Sequence, residues 1–405
     1  MSNTQKKNVP ELRFPGFEGE WEEKQLGDLT DRVIRKNKNL ESKKPLTISG
    51  QLGLIDQTEY FSKSVSSKNL ENYTLIKNGE FAYNKSYSNG YPLGAIKRLT
   101  RYDSGVLSSL YICFSIKSEM SKDFMEAYFD STHWYREVSG IAVEGARNHG
   151  LLNVSVNDFF TILIKYPSLE EQQKIGKFFS KLDRQIELEE QKLELLQQQK
   201  KCYIQKIFSQ ELRFKDEEGN YYKGWNKKQL KDVLEFSNKR TINENEYPVL
   251  TSSRQGLILQ SDYYKDRKTF AESNIGYFIL PKNHITYRSR SDDGIFKFNL
   301  NLMIDVGIIS KYYPVFKGID ANQYYLTLHL NYQLKKEYIK YATGTSQLVL
   351  SQKDLQNIKT KLPSYEEQQK IGDFFSEIDR LVEKQSSKVG RLKVRKKELL
   401  QKMFV

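Results

Sequence analysis

Two segments of the chain repeat hydrophobic residues with the seven-residue period of paired helices. The spacing places these residues at the first and fourth positions of successive heptads, which predicts two long helices with a packing seam on each. The apolar seam residues are Ile175, Phe179, Leu182, Ile186, Leu193 and Leu196 in one segment, and Ile371, Phe375, Ile378, Val382, Val389 and Leu392 in the other. Each seam also has a polar third layer (Glu189, Gln385) and a lysine in its fourth (Lys200, Lys396).

The start of each helix is indicated by a proline, a serine and a glutamate. Ser168 and Ser364 follow prolines and precede Glu171 and Glu367 by three residues, which predicts a capping box at each helix start. A helix of about 40 residues would be about 60 Å long. The two matching seams would most simply pack against each other, antiparallel if the halves are related by a two-fold axis. The alternative is that each helix packs on its own globular half.

These helix starts belong to an internal repeat that covers the whole chain. Residues 167–184 (PSLEEQQKIGKFFSKLDR) and 363–380 (PSYEEQQKIGDFFSEIDR) share fourteen of eighteen residues. ELRF at 11–14 returns at 211–214, and each copy is followed by a tryptophan and then by KQL. Each half therefore has the same frame: an ELRF entry, a variable stretch of about 130 residues and a helix.

The variable stretches alternate short apolar runs with turns, which predicts mixed α/β domains. Runs at 73–76, 109–116, 303–310 and 324–330 read as strands, and patterns at 121–138 and 330–343 read as helices. The predicted fold class is α/β (α+β), with two globular domains joined by two long antiparallel coiled-coil helices in a pseudo-two-fold repeat. The predicted segments are an N-terminal arm (1–30), a first domain (31–166), a central helix (167–213), a second domain (214–362) and a C-terminal helix (363–405).

Charge suggests a polyanionic partner. The net charge is +13 with a pI of about 9.2, which favours nucleic acid as the partner, although spare solvated lysines are an alternative. The only two cysteines, Cys113 and Cys202, lie in different segments and fit a reducing compartment. The first residues lack the apolar core of a signal peptide, and no run reaches the roughly 18 apolar residues of a membrane span. We therefore expect a cytoplasmic protein.

The repeated frame resembles the specificity subunit of type I restriction–modification enzymes. The P-S-x-x-E-Q-Q-x-I segment after each variable stretch and the ELRFPGFEGEW…KQLGDL opening are typical of that family. The resemblance implies two target-recognition domains, each reading one half of a bipartite, gapped site in double-stranded DNA. It also implies assembly with two methyltransferase subunits and with restriction subunits, for adenine methylation or ATP-dependent cleavage in defence against foreign DNA.

The resemblance implies a chain without an active site of its own. S-adenosylmethionine, ATP and Mg²⁺ are expected only in the partner subunits, and no metal site is expected here. The residues agree, because the chain has neither a Pro-Pro pair for an Asn-Pro-Pro-Tyr motif nor a GxxxxGK[ST] loop. Its four histidines also lack metal-ligand spacing.

Candidate DNA-reading residues cluster where polar side chains follow strand-like runs or lie between glycines. Base readout needs Arg, Lys, Asn, Gln or Ser on an element that can enter a groove. In the first domain the candidates are Tyr83, Asn84, Lys85, Ser86, Tyr87, Asn89, Lys97, Arg98, Arg147, Asn148 and His149. In the second domain they are Arg254, Gln255, Tyr287, Arg288, Ser289, Arg290, Ser346 and Gln347. A solvated turn is the alternative for each of them.

Two other functions compete with DNA reading. A coiled-coil scaffold or adaptor would bind acidic partners, with only nonspecific electrostatic attraction to nucleic acid. A stand-alone nuclease or methyltransferase is disfavoured by the missing motifs.

Overall fold

The computed structural model describes residues 8–50, 52–61, 69–87, 90–142, 152–264 and 273–405. The strands of the first half are β1 (Glu22–Gln25), β2 (Thr30–Arg32), β3 (Leu46–Ser49), β4 (Gly53–Asp56), β5 (Thr74–Lys77), β6 (Phe81–Asn84), β7 (Ala95–Arg98), β8 (Ser104–Leu107), β9 (Tyr111–Ile116) and β10 (Leu163–Tyr166). Its helices are α1 (Leu26–Leu29), α2 (Gln57–Tyr60), α3 (Lys122–Asp130), α4 (Tyr135–Ile141), α5 (Val156–Phe160) and α6 (Leu169–Phe208), with a 3-10 turn at Lys38–Leu40.

The second half is built from a similar series of elements. Its strands are β11 (Asn226–Gln229), β12 (Leu234–Ser237), β13 (Leu250–Ser253), β14 (Gly256–Leu259), β15 (Phe278–Pro281), β16 (Ile285–Tyr287), β17 (Arg290–Ser291), β18 (Phe298–Leu300), β19 (Val306–Ile309), β20 (Val315–Gly318), β21 (Leu348–Val349) and β22 (Lys359–Leu362). Its helices are α7 (Gln260–Tyr264), α8 (Gln323–Tyr332), α9 (Tyr338–Tyr341), α10 (Gln352–Gln356) and α11 (Tyr365–Lys402), with a 3-10 turn at Leu230–Asp232. Among the helices in the described ranges, none has both the length and the apolar character needed to cross a bilayer.

The two halves share one sheet topology. A four-stranded antiparallel sheet has the order β2-β9-β6-β7 in the first half and β12-β20-β16-β18 in the second. Pairs β3-β4 and β5-β8 correspond to β13-β14 and β15-β19, and β1-β10 corresponds to β11-β22. The last pair closes each domain, because it joins the strand after the entry tryptophan to the strand before the long helix. The internal repeat therefore holds for these strand pairs, and the pair β17-β21 is an addition of the second half among the described residues.

Most of the predicted strands are confirmed, and one is wrong. The helix predicted at 121–138 is divided into α3 and α4, and the one predicted at 330–343 covers only the end of α8 and the short α9. Strands β5, β9 and β19 lie within the runs predicted at 73–76, 109–116 and 303–310, apart from one residue at the end of β5. The run at 324–330, predicted as a strand, lies inside helix α8, whose first turn is capped by Asn322 Oδ1 accepting from Tyr325 N. A short, continuous apolar run fits a buried strand and a buried helix equally well, so periodicity could not separate the two.

The chain divides into two compact units, and each long helix contributes to both. Unit 1 contains Met1–Gln191 and Ser387–Val405, and unit 2 contains Lys192–Ser386. The core of unit 1 therefore takes in residues from the end of the chain. The ring of Phe404 packs against Trp21, Phe124 and Phe179, with ring-centre distances of 6.2, 5.4 and 5.9 Å.

The repeated sequence motifs dock on each other in both units. Arg13 of the first ELRF donates to both carboxylate oxygens of Glu171, at 2.8 and 2.7 Å, and Arg213 of the second makes the same pair with Glu367. Both glutamates are 1 % exposed. The phenylalanine of the first ELRF motif also packs on the long helix, since the Phe14 ring lies edge-on against Phe178 of α6 with ring centres 5.6 Å apart.

The arginine pairs correct part of the capping-box prediction. Ser168 and Ser364 do accept weakly from the backbone N–H groups of Glu171 and Glu367, at 3.4 Å. The glutamate side chains, however, are directed to the arginines. A buried carboxylate needs a charged partner more than an exposed helix end needs a second cap.

The neighbouring glutamine ties each long helix to its domain. Gln172 accepts from the N–H of Ser121, which caps α3, and donates to the carbonyl of Pro167. Gln368 makes the equivalent bonds to Asn322 and Pro363. The glycine of the motif permits this close approach, because a Cβ on Gly176 would lie 2.6 Å from the backbone nitrogen of Phe124.

The lysines of the fourth seam layers pair with aspartates of the other long helix. In unit 1, Lys396 of α11 lies 2.6 Å from Asp183 of α6 and 2.7 Å from Asp130 at the end of α3. Lys388 and Glu189 form a further pair in this unit. Partner numbers fall along α11 as they rise along α6, so the two segments run antiparallel here, as predicted.

Unit 2 repeats this arrangement with different surroundings. Lys200 of α6 pairs with Asp379 of α11, which also accepts from the hydroxyl of Tyr324. Tyr203 packs edge-on against Phe374. The segments of α6 and α11 within unit 2 are therefore also antiparallel.

The apolar seam residues serve two kinds of contact. Ile175 and Phe179 lie in the core of unit 1 together with Leu400 of α11 and with Met403, which follows α11, so both helices and the domain share one core. Ile371 and Phe375 lie in the core of unit 2. Val389 and Ile186 are buried, whereas Leu193, Leu196, Val382 and Leu392 are half-buried. Packing between helices and packing on the own domain, the two alternatives from the sequence, therefore occur together.

We expect the substitution Glu171→Gln to lower the free energy of unfolding of unit 1 by about 3 kcal/mol, since breaking a buried ion pair leaves its partner uncompensated. Glu367→Gln should do the same in unit 2. Glu337→Gln is the matched control, because Glu337 forms an exposed pair with Lys340 within one helical turn, and such pairs contribute little. Calorimetric unfolding of the full chain measures all three variants. Equal losses of unfolding free energy in E171Q and E337Q would contradict the role of the Arg13–Glu171 pair in holding the entry segment on the long helix.

Two glycines of the long helices should respond oppositely to alanine. Gly176→Ala should destabilise the protein, because the new Cβ would clash with the backbone of Phe124. Gly390→Ala should stabilise it by up to about 1 kcal/mol, since Gly390 is in open space and alanine is the better helix former. Thermal unfolding checks both, and a Tm for G176A at or above that of the wild type would contradict the close contact.

Candidate nucleic-acid interface

In unit 1, the candidate surface follows the end of strand β6. The Asn84 side chain accepts from the backbone N–H of Ser86 at 3.0 Å, which turns the chain out of the sheet. The carbonyl of Lys85 accepts from the N–H of Leu152 at 3.0 Å, so two distant segments meet here. Tyr87 is 63 % exposed. The predicted residues Asn89, Arg147, Asn148 and His149 lie outside the described residues.

Two predicted DNA contacts are corrected by their burial. Tyr83 and Tyr287 are equivalent residues in the central sheets, and both are 0 % exposed. Their hydroxyls donate to the carbonyls of Leu93 and Leu350, at 2.9 and 3.0 Å, and burial raises the pKa of both phenols. Each ring closes the core beneath the polar segment that follows it, so neither side chain can reach a base.

Lys97 and Arg98, also predicted to contact DNA, are held in ion pairs on strand β7. Lys97 lies 2.6 Å from Asp130, and Arg98 pairs with Asp123 and Glu126 of α3. Both side chains are less than one-fifth exposed. Their charges therefore fasten the sheet to helix α3.

In unit 2, three predicted segments (254–255, 287–290 and 346–347) meet around the turn that follows strand β17. Arg254 and Gln255 form the exposed tip of the β13-β14 hairpin, between paired residues Ser253 and Gly256. The Arg254 guanidinium donates to Asp293 Oδ2 at 2.7 Å. An exposed hairpin tip can enter a DNA groove.

The segment that contains Ser346 and Gln347 precedes strand β21 and contacts the same turn. The Gln347 amide donates to Asp292 at 2.7 Å, and β17 pairs with β21 so that Arg290 lies opposite Val349. Ser346, next to Gln347, is exposed. Arg254 and Gln347 are 93 residues apart in sequence, yet both contact this turn.

Arg288, Ser289 and Arg290 extend this surface. Arg288 and Arg290 are exposed, and the Arg290 guanidinium lies 5.3 Å from the centre of the Tyr312 ring. Ser289 donates to the carbonyl of Tyr312 at 3.0 Å. The segment borders a cavity of about 260 Å³, which Lys311 and Tyr312 also line.

Sequence reasoning did not select Lys311 or Tyr312. They lie about twenty residues beyond Arg290, and only the fold of the sheet brings them back. The nearest signal in the sequence was the KYY run itself, a basic residue followed by two aromatic residues.

The chemistry of these surfaces is hydrogen bonding and positive charge. Guanidinium, amide and hydroxyl groups are the side-chain groups that pair with base edges, and arginine also contacts phosphates. Of the histidines, His329 is buried in unit 2 and hydrogen-bonded to Thr360, and burial lowers its pKa to about 3. Among the described residues, no group of three His, Cys, Asp or Glu side chains could hold a metal ion.

Comparison with known proteins agrees with this architecture. The family model described as "Type I restriction modification DNA specificity domain" matches twice, at residues 18–198 and 222–390. The type I restriction enzyme MjaVIII specificity subunit of Methanocaldococcus jannaschii is 24 % identical to the chain, covering 97 % of it and 93 % of that relative.

Solved structures show the same fold. The S subunit of a type I restriction–modification system from M. genitalium matches with a TM-score of 0.59 at 16 % identity, over 98 % of this chain and 99 % of that one. A chain from a study of complex assembly and conformational transition in a type I R-M system matches with a TM-score of 0.50 at 18 % identity, over 98 % and 99 %. The two family-model matches fall on the two repeated halves and together span most of the sequence, so the chain belongs to the family of type I restriction–modification DNA specificity proteins.

Proposed function

We propose that this protein is the DNA-reading subunit of a type I restriction–modification complex, with one recognition domain in each unit. One observation carries the proposal. The two units share their sheet order and their Arg–Glu docking pairs, yet different polar groups stand at the same structural position. Asn84-Lys85-Ser86 follow strand β6, and Arg288-Ser289-Arg290 follow the equivalent strand β16. A common frame with different exposed groups suits a protein that reads two unlike half-sites.

We infer that the DNA-facing residues are the exposed and half-exposed members of the predicted set. In the described residues these are Asn84, Lys85, Ser86, Tyr87, Arg254, Gln255, Arg288, Ser289, Arg290, Ser346 and Gln347. Lys311 and Tyr312 join them because they border Arg290. Asn89, Arg147, Asn148 and His149 stay sequence predictions. Buried Tyr83 and Tyr287 and the ion-paired Lys97 and Arg98 are left out.

The proposed partners follow from family membership. The complex would contain methyltransferase subunits, two per chain as the pseudo-two-fold repeat suggests, and restriction subunits, and it would act in the cytoplasm. S-adenosylmethionine, ATP and Mg²⁺ would bind to those partners. The role of this chain would be to place the target adenine within reach of the methyltransferase, which must flip the base out of the duplex.

Exchanging residues 31–166 for the corresponding domain of another family member should change one half-site and leave the other unchanged, because each half-site is read by its own unit. The measurement is adenine-methylation mapping of the host genome, with the wild-type gene and with the gene deleted as controls. Changes in both half-sites would contradict the modular reading.

The same complex separates DNA reading from the adaptor alternative. We expect the purified complex to bind a duplex with the mapped motif more tightly than a scrambled duplex at physiological salt. Equal binding of the two duplexes, with a steep loss of both as salt rises, would indicate electrostatic attraction alone and would favour the adaptor.

A further inference from the structure

The turn after strand β17 holds the Arg254 side chain through one carboxylate. Oδ1 of Asp293 accepts from the Ser291 hydroxyl at 2.9 Å and from the backbone N–H of Ile295 at 3.1 Å. Oδ2 of the same carboxylate accepts from Arg254 Nη2 at 2.7 Å. One oxygen therefore fixes the carboxylate to its own turn, and the other orients the guanidinium.

The turn itself is fixed by the fold of unit 2. Ser291 is 4 % exposed and is paired with Leu348 in the β17-β21 ladder. Gly294 has a φ of +75°, a backbone conformation that favours glycine, and its Cβ position lies 3.4 Å from Leu348. The carboxylate that contacts Arg254 is thus attached to a well-defined part of the domain.

The ion pair between Arg254 and Asp293 is better suited to orienting the arginine side chain than to stabilising the fold. The Arg254 and Asp293 side chains are 63 % and 44 % exposed, and exposed pairs contribute little to the free energy of unfolding. Hydrogen bonds from the Ile295 backbone, Ser291 and Arg254 lower the pKa of Asp293. The group is therefore an ionised acceptor at neutral pH, and it limits the directions in which Arg254 can point.

A carboxylate beside an arginine also affects which part of DNA the arginine can bind. It repels phosphates, so the pair makes a poor nonspecific backbone contact. Arginine has five N–H donors, and the Asp293 contact occupies one of them. The others can donate to O6 and N7 of guanine, the base most often read by arginine in the major groove.

We propose that Arg254 reads a guanine in the half-site of unit 2 and that Asp293 is the positioning residue that holds Arg254 for this contact. The inference rests on the proposed function. The neighbouring Asp292 accepts a hydrogen bond from the Gln347 amide at 2.7 Å, so one turn contacts two of the proposed reading groups.

The test compares four variants of the full chain expressed in place of the wild-type gene, with genome-wide mapping of adenine methylation. R254A, R254K and D293N should each accept other bases at one guanine of the unit 2 half-site, while the other half-site stays unchanged. R254K is included because lysine keeps the charge and loses the planar fork. E235Q is the matched control, because it neutralises the carboxylate of another exposed ion pair in the same unit, that between Glu235 and Lys317 on paired strands.

The purified complex provides a second readout that does not depend on methylation. The wild type should prefer the cognate duplex over one with that guanine replaced by on the order of ten- to hundredfold in Kd. In D293N this preference should shrink towards that of R254A, while E235Q should keep it. A purely structural role for Asp293 would change affinity for both duplexes and leave their ratio intact.

Several results would overturn the inference. They are a unit 2 half-site without guanine, an R254K variant as selective as the wild type, and a D293N variant that keeps the guanine strictly. Relaxation in D293N at a base pair other than the one relaxed in R254A would show that the carboxylate contacts DNA directly, which also contradicts a positioning role. A wild-type complex without any bipartite motif would instead refute the proposed function.

Discussion

The buried ion pair between an entry arginine and a helix glutamate is the interaction on which each unit depends. Arg13 and Glu171, and their equivalents Arg213 and Glu367, join the start of a half to the start of its long helix. The glutamate is almost completely buried and would be costly to leave alone. Since the adjacent glutamine binds the capped end of a domain helix, the pair fixes entry, helix and domain together. This explains why ELRF and EEQQ are repeated while the sequences between them differ.

The lysine–aspartate layers add a second constraint, on the register of the long helices. Apolar seams alone tolerate a shift by one heptad, whereas a lysine removed from its aspartate would be left half-buried without a partner. In unit 1 the layer includes Asp130. Burial would raise the pKa of this carboxyl, but Lys97 and Lys396 hold it well below its usual value. Through Lys97 on β7, the layer thereby connects the four-stranded sheet of unit 1 to helix α11.

The frame was predictable from sequence because its determinants are local or repeated. Heptads, glutamates after Pro-Ser and two copies of ELRF predicted both helices and the common order of the halves. The 324–330 helix was mistaken for a strand because aromatic and leucine residues fill a short buried helix as well as a strand. Tyr83 and Tyr287 were predicted to contact DNA because each directly precedes a polar segment. The alternation of side chains along a strand does not reveal which of the two faces of the sheet is buried. The pairing of Arg254 with Asp293 depends on contacts 39 residues apart, which no local pattern encodes.

The position of the buried tyrosines shows how a fixed frame can carry different specificities. Each tyrosine hydroxyl donates to a backbone carbonyl, and the next residue is half-exposed in unit 1 (Asn84) and exposed in unit 2 (Arg288). Side chains beyond that point can vary without creating cavities, because the core is already closed beneath them. In unit 2 the varying side chains are nevertheless ordered, since Asp292 and Asp293 restrict Gln347 and Arg254. Selectivity requires this order, because a freely rotating arginine would bind the nearest phosphate as readily as a base. If Arg254 and Gln347 read bases as proposed, a domain of this kind would have to change its reading groups together with the acidic residues that hold them.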